Sequence, residues 1–247
     1  MQSDLKEFLI FKSDFYEHPN FIETDPIQIP KKFSQKEDIE IAAFLIAMIA
    51  WGNRQSIIKS GEKLVRIMGN SPHDFIMNHD PTKVYDFVHR TFNSTDLAYF
   101  FRALKYCYQN GGLEKQFQFS DSNLKNRIIY FRSNFLSFTC ENRTTKHISN
   151  PELGSAAKRL VMFLRWMVRS NAKGVDFGIW NSISPSELYI PLDVHTGNIA
   201  RKLGILIRNQ NDWKANEELK EALIKIDPHD PARFDFALFG LGAFEKF

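Results

Sequence analysis

The sequence predicts an all-α protein of two helical lobes with a cleft between them, and three observations carry the prediction. Helix start signals recur along the chain, most of them a Ser, Asp or Asn ahead of an apolar stretch. Local breaks punctuate those stretches, a stop at Gly69 and a proline at 81 in a first helical position. Alternating apolar and polar runs, the pattern of a half-buried strand, are scarce.

Taken in order, Ser34-Gln35-Lys36-Glu37 has capping-box spacing, in which the serine oxygen and the glutamate carboxylate each satisfy an end N–H. The helix after it, 38–51, is apolar on nearly all sides and is expected to be central. A second helix is predicted over 56–68, stopping at Gly69. Asp80-Pro81 predicts another start, with Asp as cap and Pro in the first helical position. Further helices are predicted over 94–110, 123–138, 156–170, 194–203, 214–226 and 232–244. Gln28-Ile29-Pro30 and Tyr189-Ile190-Pro191 read as extended links, because the residue before a proline is pushed out of the helical region. Residues 171–191 are long for a loop inside a compact domain. One lobe is expected from 34–150, the other from 1–33 together with 151–247.

Composition narrows the function. Of 247 residues, 43% are hydrophobic and 25% charged, an ordinary globular balance that excludes disordered and fibrous classes. Two cysteines, Cys107 and Cys140, are too few for a four-cysteine zinc or iron–sulfur site or a disulfide framework. His73, His79, His89 and His229 show no ligand spacing, so no metal is expected and no cofactor is implied. The polar N-terminus does not read as a signal peptide, and the longest apolar run, 41–51, is too short to span a bilayer. A cytoplasmic monomer in a reducing compartment is the expectation. The net charge of +3 permits a polyanionic partner without demanding one.

Three segments have residues suited to chemistry. In Leu153-Gly154-Ser155-Ala156-Ala157-Lys158-Arg159, small residues let the backbone turn tightly and bring N–H groups up to an anion, with Lys158 in the following helical turn. Arg159, Arg165, Arg169 and Lys173 make this the strongest basic run, and no acid occurs between Gly154 and Asp176, so phosphate contact is expected. In Pro191-Leu192-Asp193-Val194-His195-Thr196, Asp193 stands where a helix begins, which favours its ionised form. It is either an N-cap, a transition-state stabiliser, or both. His195 and Arg201 follow on the same helix as candidate contacts. In Trp51-Gly52-Asn53-Arg54-Gln55, polar side chains on a tight turn either end a helix or suit insertion into a groove or base stack.

Together these segments resemble the helix-hairpin-helix superfamily of DNA glycosylases. Gly154-Ser155-Ala156-Ala157-Lys158 is similar to its L-P-G-V-G-x-K hairpin, with Ala156 in place of the second glycine and the hairpin proline absent. Pro191-Leu192-Asp193-Val194-His195 is similar to its P-V-D-V-H segment, most of all in the oxoguanine-type members. Thirty-five residues separate Lys158 from Asp193, closer to the archaeal oxoguanine enzymes than to the endonuclease III type, and the four-cysteine iron–sulfur loop is missing. Phe236-Ala237-Leu238-Phe239-Gly240 resembles the closing helix. The chain is also similar to an uncharacterised bacterial family with K-R-L-x-M-F-L-R-W-M and I-P-L-D-V-H-T segments.

The resemblance implies a damaged or abasic DNA duplex as partner, Lys158 and Asp193 as catalytic groups, and DNA contacts at Asn53, Arg54, Gln55, Gly154, Ser155, Arg159, Arg165, His195 and Arg201. Trp166, Trp180 and the many phenylalanines would wall a pocket for a flipped base. A non-catalytic nucleic-acid binder on the same fold and a helical protein-interaction module are the alternatives. The base excised is open at this point.

Overall fold

A computed structural model of the chain describes residues 3–119, 123–245 and 247. The protein is all-α, and the described residues contain one short antiparallel hairpin. The chain divides into two compact units, residues 1–21 with 150–247, and residues 22–149. Residues 22–33, expected with the terminal segments, belong to the middle unit. Ile27 and Ile29 are fully buried there, and the 3-10 turns that hold them pack against the central helix.

The first helix, α1 (Ser3–Tyr16), has no counterpart in the sequence reading. Only a narrow apolar face, Leu5, Phe8 and Leu9, marks it, and Phe11 and Phe15 are left exposed. In the middle unit, α2 (Lys36–Ile49) is buried at every position from Ile39 to Ile49, as its sequence predicts. Its start differs from expectation. Gln35 rather than Ser34 occupies the N-cap and makes no side-chain cap. The Asp38 carboxylate instead reaches out to accept the His73 N–H at 2.8 Å.

Next come α3 (Arg54–Ile67) and α4 (Pro72–Asn78). No helix begins at Asp80-Pro81. The Asp80 carboxylate accepts from both the amide and the hydroxyl of Thr82, at 2.8 and 2.7 Å, and closes a local turn that competes with a helical start. The expected extended link at Ile29-Pro30 is also absent. Ile29 is helical (φ −70°, ψ −55°) between two 3-10 turns, where burial of its side chain outweighs the preference imposed by the following proline.

The unit continues with β1 (Val88–His89), β2 (Phe92–Asn93), α5 (Ser94–Gln109), α6 (Leu113–Gln116), α7 (Leu124–Phe135) and α8 (Asn142–Thr145). Asn93 and Asp96 form a reciprocal capping box on α5. The aromatic-rich composition condenses here, with Phe135 5.2 Å from both Phe44 and Phe100.

The other unit holds α9 (Lys158–Val168), α10 (Val194–Lys202), α11 (Trp213–Ile224) and α12 (Phe234–Ala243). Both α1 and α10 pack on α12. The contact with α1 is close enough that a methyl group on Gly240 would lie 2.1 Å from the Tyr16 ring. The long 171–191 stretch is a strap rather than a free loop. The amides of Phe177, Ile179 and Trp180 donate to the Trp166 and Met167 carbonyls that end α9. Val175, Trp180, Ile183 and Leu188 are buried beneath the strap. Among the described residues no helix is long and apolar enough to cross a membrane, and Cys107 and Cys140 are both free thiols.

Candidate functional site

The start of α9 and the start of α10 meet. Lys158 Nζ donates to Asp193 Oδ2 at 2.6 Å, with the two side chains 37% and 23% exposed. Two local devices set the lysine in place. Gly154 (φ +88°) and Ala157 (φ +48°) both adopt the left-handed conformation, which is permissive for glycine and strained for alanine. Ser155 bridges to Asp212, and the Gly154 carbonyl accepts the Trp213 N–H at 2.9 Å, so the turn is pinned to the start of α11. The Ser155 hydroxyl accepts from the Ala157 amide at 3.2 Å. A single 3-10 turn, Pro151–Leu153, precedes this turn.

Asp193 is fixed from two sides. Its Oδ1 caps α10 by accepting the Thr196 N–H at 2.9 Å, and its carbonyl accepts from Asn211 Nδ2 at 3.1 Å. Burial works to raise its pKa. The charge and hydrogen bond of Lys158, with the Thr196 amide, outweigh that and hold the carboxyl below its ordinary value. The N-cap and candidate-catalyst readings of Asp193 therefore coincide in one side chain. Arg201 positions this arrangement from behind, donating to Asn211 Oδ1 at 2.6 Å and the Arg208 carbonyl at 2.8 Å. His195 is exposed on the first turn of α10, and its charge acts on Asp193. Arg159 is half-buried, which pushes its guanidinium pKa down but leaves it cationic at neutral pH.

The basic run does not form a phosphate-binding face. Arg165 and Arg169 are each 4% exposed and enclosed by acids, Asp176 from the segment just after the helix and the rest from distant parts of the chain. Arg165 bonds to Asp235 and lies 3.4 Å from Asp176. Arg169 takes Asp176 at 2.6 Å, Glu17 at 2.7 Å and Asp230 at 2.8 Å. Lys173 pairs with Asp14. One cation within the otherwise apolar stretch Leu160–Val168 and a second at its C-cap cannot be left unpaired inside a core. The pocket-wall role is corrected as well. Trp166 and Trp180 are 0% and 2% exposed, so neither offers a ring face to a base.

The acids were missed because pairing them needs the fold. The only local signal is Asp235, a single charge inside the apolar run Phe234–Leu241. Burial raises its pKa to about 6 against the opposing charge of Arg165, and Asp193 adds to the rise.

In the other unit, Asn53 is the N-cap of α3, accepting the Ser56 N–H at 3.2 Å, while Gln55 is exposed and Arg54 half-buried. The turn has a rigid backing. Trp51 lies edge-on to His89 at 5.3 Å and stacked on His147 at 5.9 Å. Asp96, fully buried, lies 3.2 Å from His147. A cavity of about 430 Å³ in the same unit is lined by Glu40, His73, Tyr108 and Glu114, whose polar groups are mutually engaged through Tyr108–Glu40 at 2.8 Å and Lys36–Glu114 at 2.5 Å. Among the described residues no three His, Cys, Asp or Glu side chains converge as metal ligands.

Compared with known proteins, residues 25–244 match a family model described as a protein of unknown function (DUF2400). No curated protein and no solved structure matches the chain.

Proposed function

We propose that this chain, which belongs to the DUF2400 family, is a DNA base-excision enzyme: an N-glycosylase with AP-lyase activity acting on a base turned out of the duplex. The observation that supports this reading is the direct 2.6 Å contact between Lys158 and Asp193, half open to solvent, from two segments thirty-five residues apart. An amine and an ionised carboxylate held together are the pair that attack at C1′ of a nucleotide requires.

The reaction follows from those two groups. Lys158 reacts as the free amine, and at an ordinary pKa deprotonation at pH 7 costs about 5 kcal/mol. Water exclusion by bound DNA and the charge of Arg159 reduce that cost while Asp193 opposes them, so the proton leaves to solvent before the site closes and Asp193 stays ionised. The amine nitrogen bonds to C1′ as the bond to the base breaks, and the base leaves with the electron pair. Positive charge developing on the sugar is stabilised by the Asp193 carboxylate, which Thr196 N–H fixes beforehand. The attached nitrogen passes a proton to O4′ as its lone pair opens the C1′–O4′ bond, leaving a protonated imine to Lys158. Loss of a C2′ proton expels the 3′ phosphate.

Borohydride reduction on an abasic duplex tests this. A covalent adduct is expected with the unaltered protein and none with Lys158→Ala. Lys220→Ala is the control, because Lys220 is a second amine whose pKa burial lowers, to about 8. An adduct that persists in Lys158→Ala, or that requires Lys220, removes the reading. A panel of oxidised, alkylated and deaminated lesions then identifies the base.

One observation favours the non-catalytic alternative. Without DNA the pair is closed and charged, as a clamp between two helix starts would be. A binder gives no adduct, but its log affinity falls linearly with log salt, by about 0.9 per phosphate neutralised.

A further inference from the structure

We propose that the buried Asp235–Arg165 pair is a positioning device for the Lys158–Asp193 pair, placing a second carboxylate behind the amine so that two acids, one half-exposed and one in the core, set its charge state. The inference rests on the reading of Lys158 as the reactive amine.

Geometry carries it. Lys158 and Arg165 are seven residues apart on α9, two turns and about 10 Å along the axis, so they share one face. Each meets an acid from a different element: Asp193 from the start of α10 and Asp235 from the first turn of α12. Because α10 packs on α12, the two acids are brought near each other. Each of Lys158 and Asp193 acts electrostatically on Asp235, with opposite sign. Arg165 is itself immobilised, 4% exposed and also facing Asp176, so Asp235 cannot move away with it.

The charged groups facing Asp235 are therefore Lys158 and Arg165 from α9 and Asp193 from α10. Of the other elements packed on α12, α1 brings Tyr16 against Gly240, further along the helix. Arg233, just before α12, is taken up by Asp14 and Asp227. His195 acts on Asp193 from the exposed side.

Asp235 ionises at about pH 6. Above that pH it adds negative charge behind the ammonium and holds the proton on Lys158. Below it, or in Asp235→Asn, Arg165 keeps Asp176 but loses the Asp235 charge, and the ammonium is disfavoured. Asparagine keeps the shape, so the Lys158 titration midpoint is expected to fall by at least about 0.5 pH unit, roughly threefold in the free-amine fraction.

The test is reductive ¹³C-methylation of the whole protein followed by NMR titration of the Lys158 methyl resonance, assigned by its loss in Lys158→Arg. It needs no DNA. Asp176→Asn is the comparison, because Asp176 is equally buried and also serves Arg165 and Arg169. A downward shift in Asp235→Asn but not in Asp176→Asn supports the proposal. No shift, or equal shifts in both, overturns it.

Should Asp235→Asn not fold, the protein with only His195→Gln serves, since it removes the imidazole that acts on Asp193. Its Lys158 resonance should carry an inflection near pH 6, and a flat trace there overturns the proposal. The titration shift without any borohydride adduct would retain the positioning role and remove the base-excision reading. An adduct without the shift would do the reverse.

Discussion

The two ends of α9 handle positive charge in opposite ways. At the C-terminal end Arg169 is enclosed by Asp176, Asp230 and Glu17 and is 4% exposed. At the N-terminal end Lys158 has a single carboxylate partner, and both remain in contact with solvent. The inner cation ties the long strap, the 227–230 turn and the end of α1 to one helix. The outer cation joins the start of α9 to the start of α10. One helix thus carries an enclosed charge and a solvent-accessible one, and burial is what separates them.

The largest expected effect tests the inner end. Arg169→Met removes the shared partner of two buried acids, Asp176 and Glu17, and of the partly exposed Asp230, and should cost about 3–5 kcal/mol in chemical denaturation, because removing one partner of a buried network leaves uncompensated charge. A loss under about 1 kcal/mol would mean that the network contributes no more than a surface pair.

Asp193→Ala comes next. It removes the α10 cap and should cost about 1 kcal/mol. The carboxyl is held below its unfolded value of 3.8, so its contribution is present above that value and is lost as pH falls through its folded pKa. The difference between the unaltered protein and Asp193→Ala should therefore shrink as pH falls below 3.8, apart from a separate change near pH 6 where Asp235, coupled to Asp193, titrates.

Lys158→Ala should alter stability by less than about 1 kcal/mol, since half-exposed pairs contribute little, while abolishing adduct formation. A stability loss as large as that of Arg169→Met would erase the distinction between the two ends of the helix.

The last effect concerns the pH slope set by Lys220, which donates to the Glu187 carbonyl at 2.5 Å over the Tyr189 ring and has its pKa lowered by burial to about 8. Between pH 8 and about 10 the unfolded chain binds the extra proton at this position, so stability should rise with pH through Lys220. Thermal melts of Lys220→Met should show a shallower rise over that window than the unaltered protein. Equal slopes would indicate that Lys220 titrates normally.

Much of the fold was legible in the sequence. The burial of α2 follows from its uninterrupted apolar run, and the positions of α3, α5, α7 and α9 to α12 follow from caps and glycine stops, because these signals act within one or two turns of the chain. The misreadings have local causes of a different kind. Asp80 closed a turn with Thr82, and Ile29 was held helical by burial. The α1 helix, with its narrow apolar face, depends on packing against α12.

For the candidate site, the sequence by itself determined that Lys158 follows a tight small-residue turn and that Asp193 caps a helix, since both are properties of a few adjacent residues. It also determined the all-α class. Only the tertiary structure decided that these two side chains meet, that Arg165 and Arg169 face inward to Asp235, Asp176, Asp230 and Glu17, and that Trp166 and Trp180 are core rather than surface. The physical reason is that a charge's role depends on its solvent exposure and on partners that arrive from distant parts of the chain, and neither is encoded within reach of the residue itself.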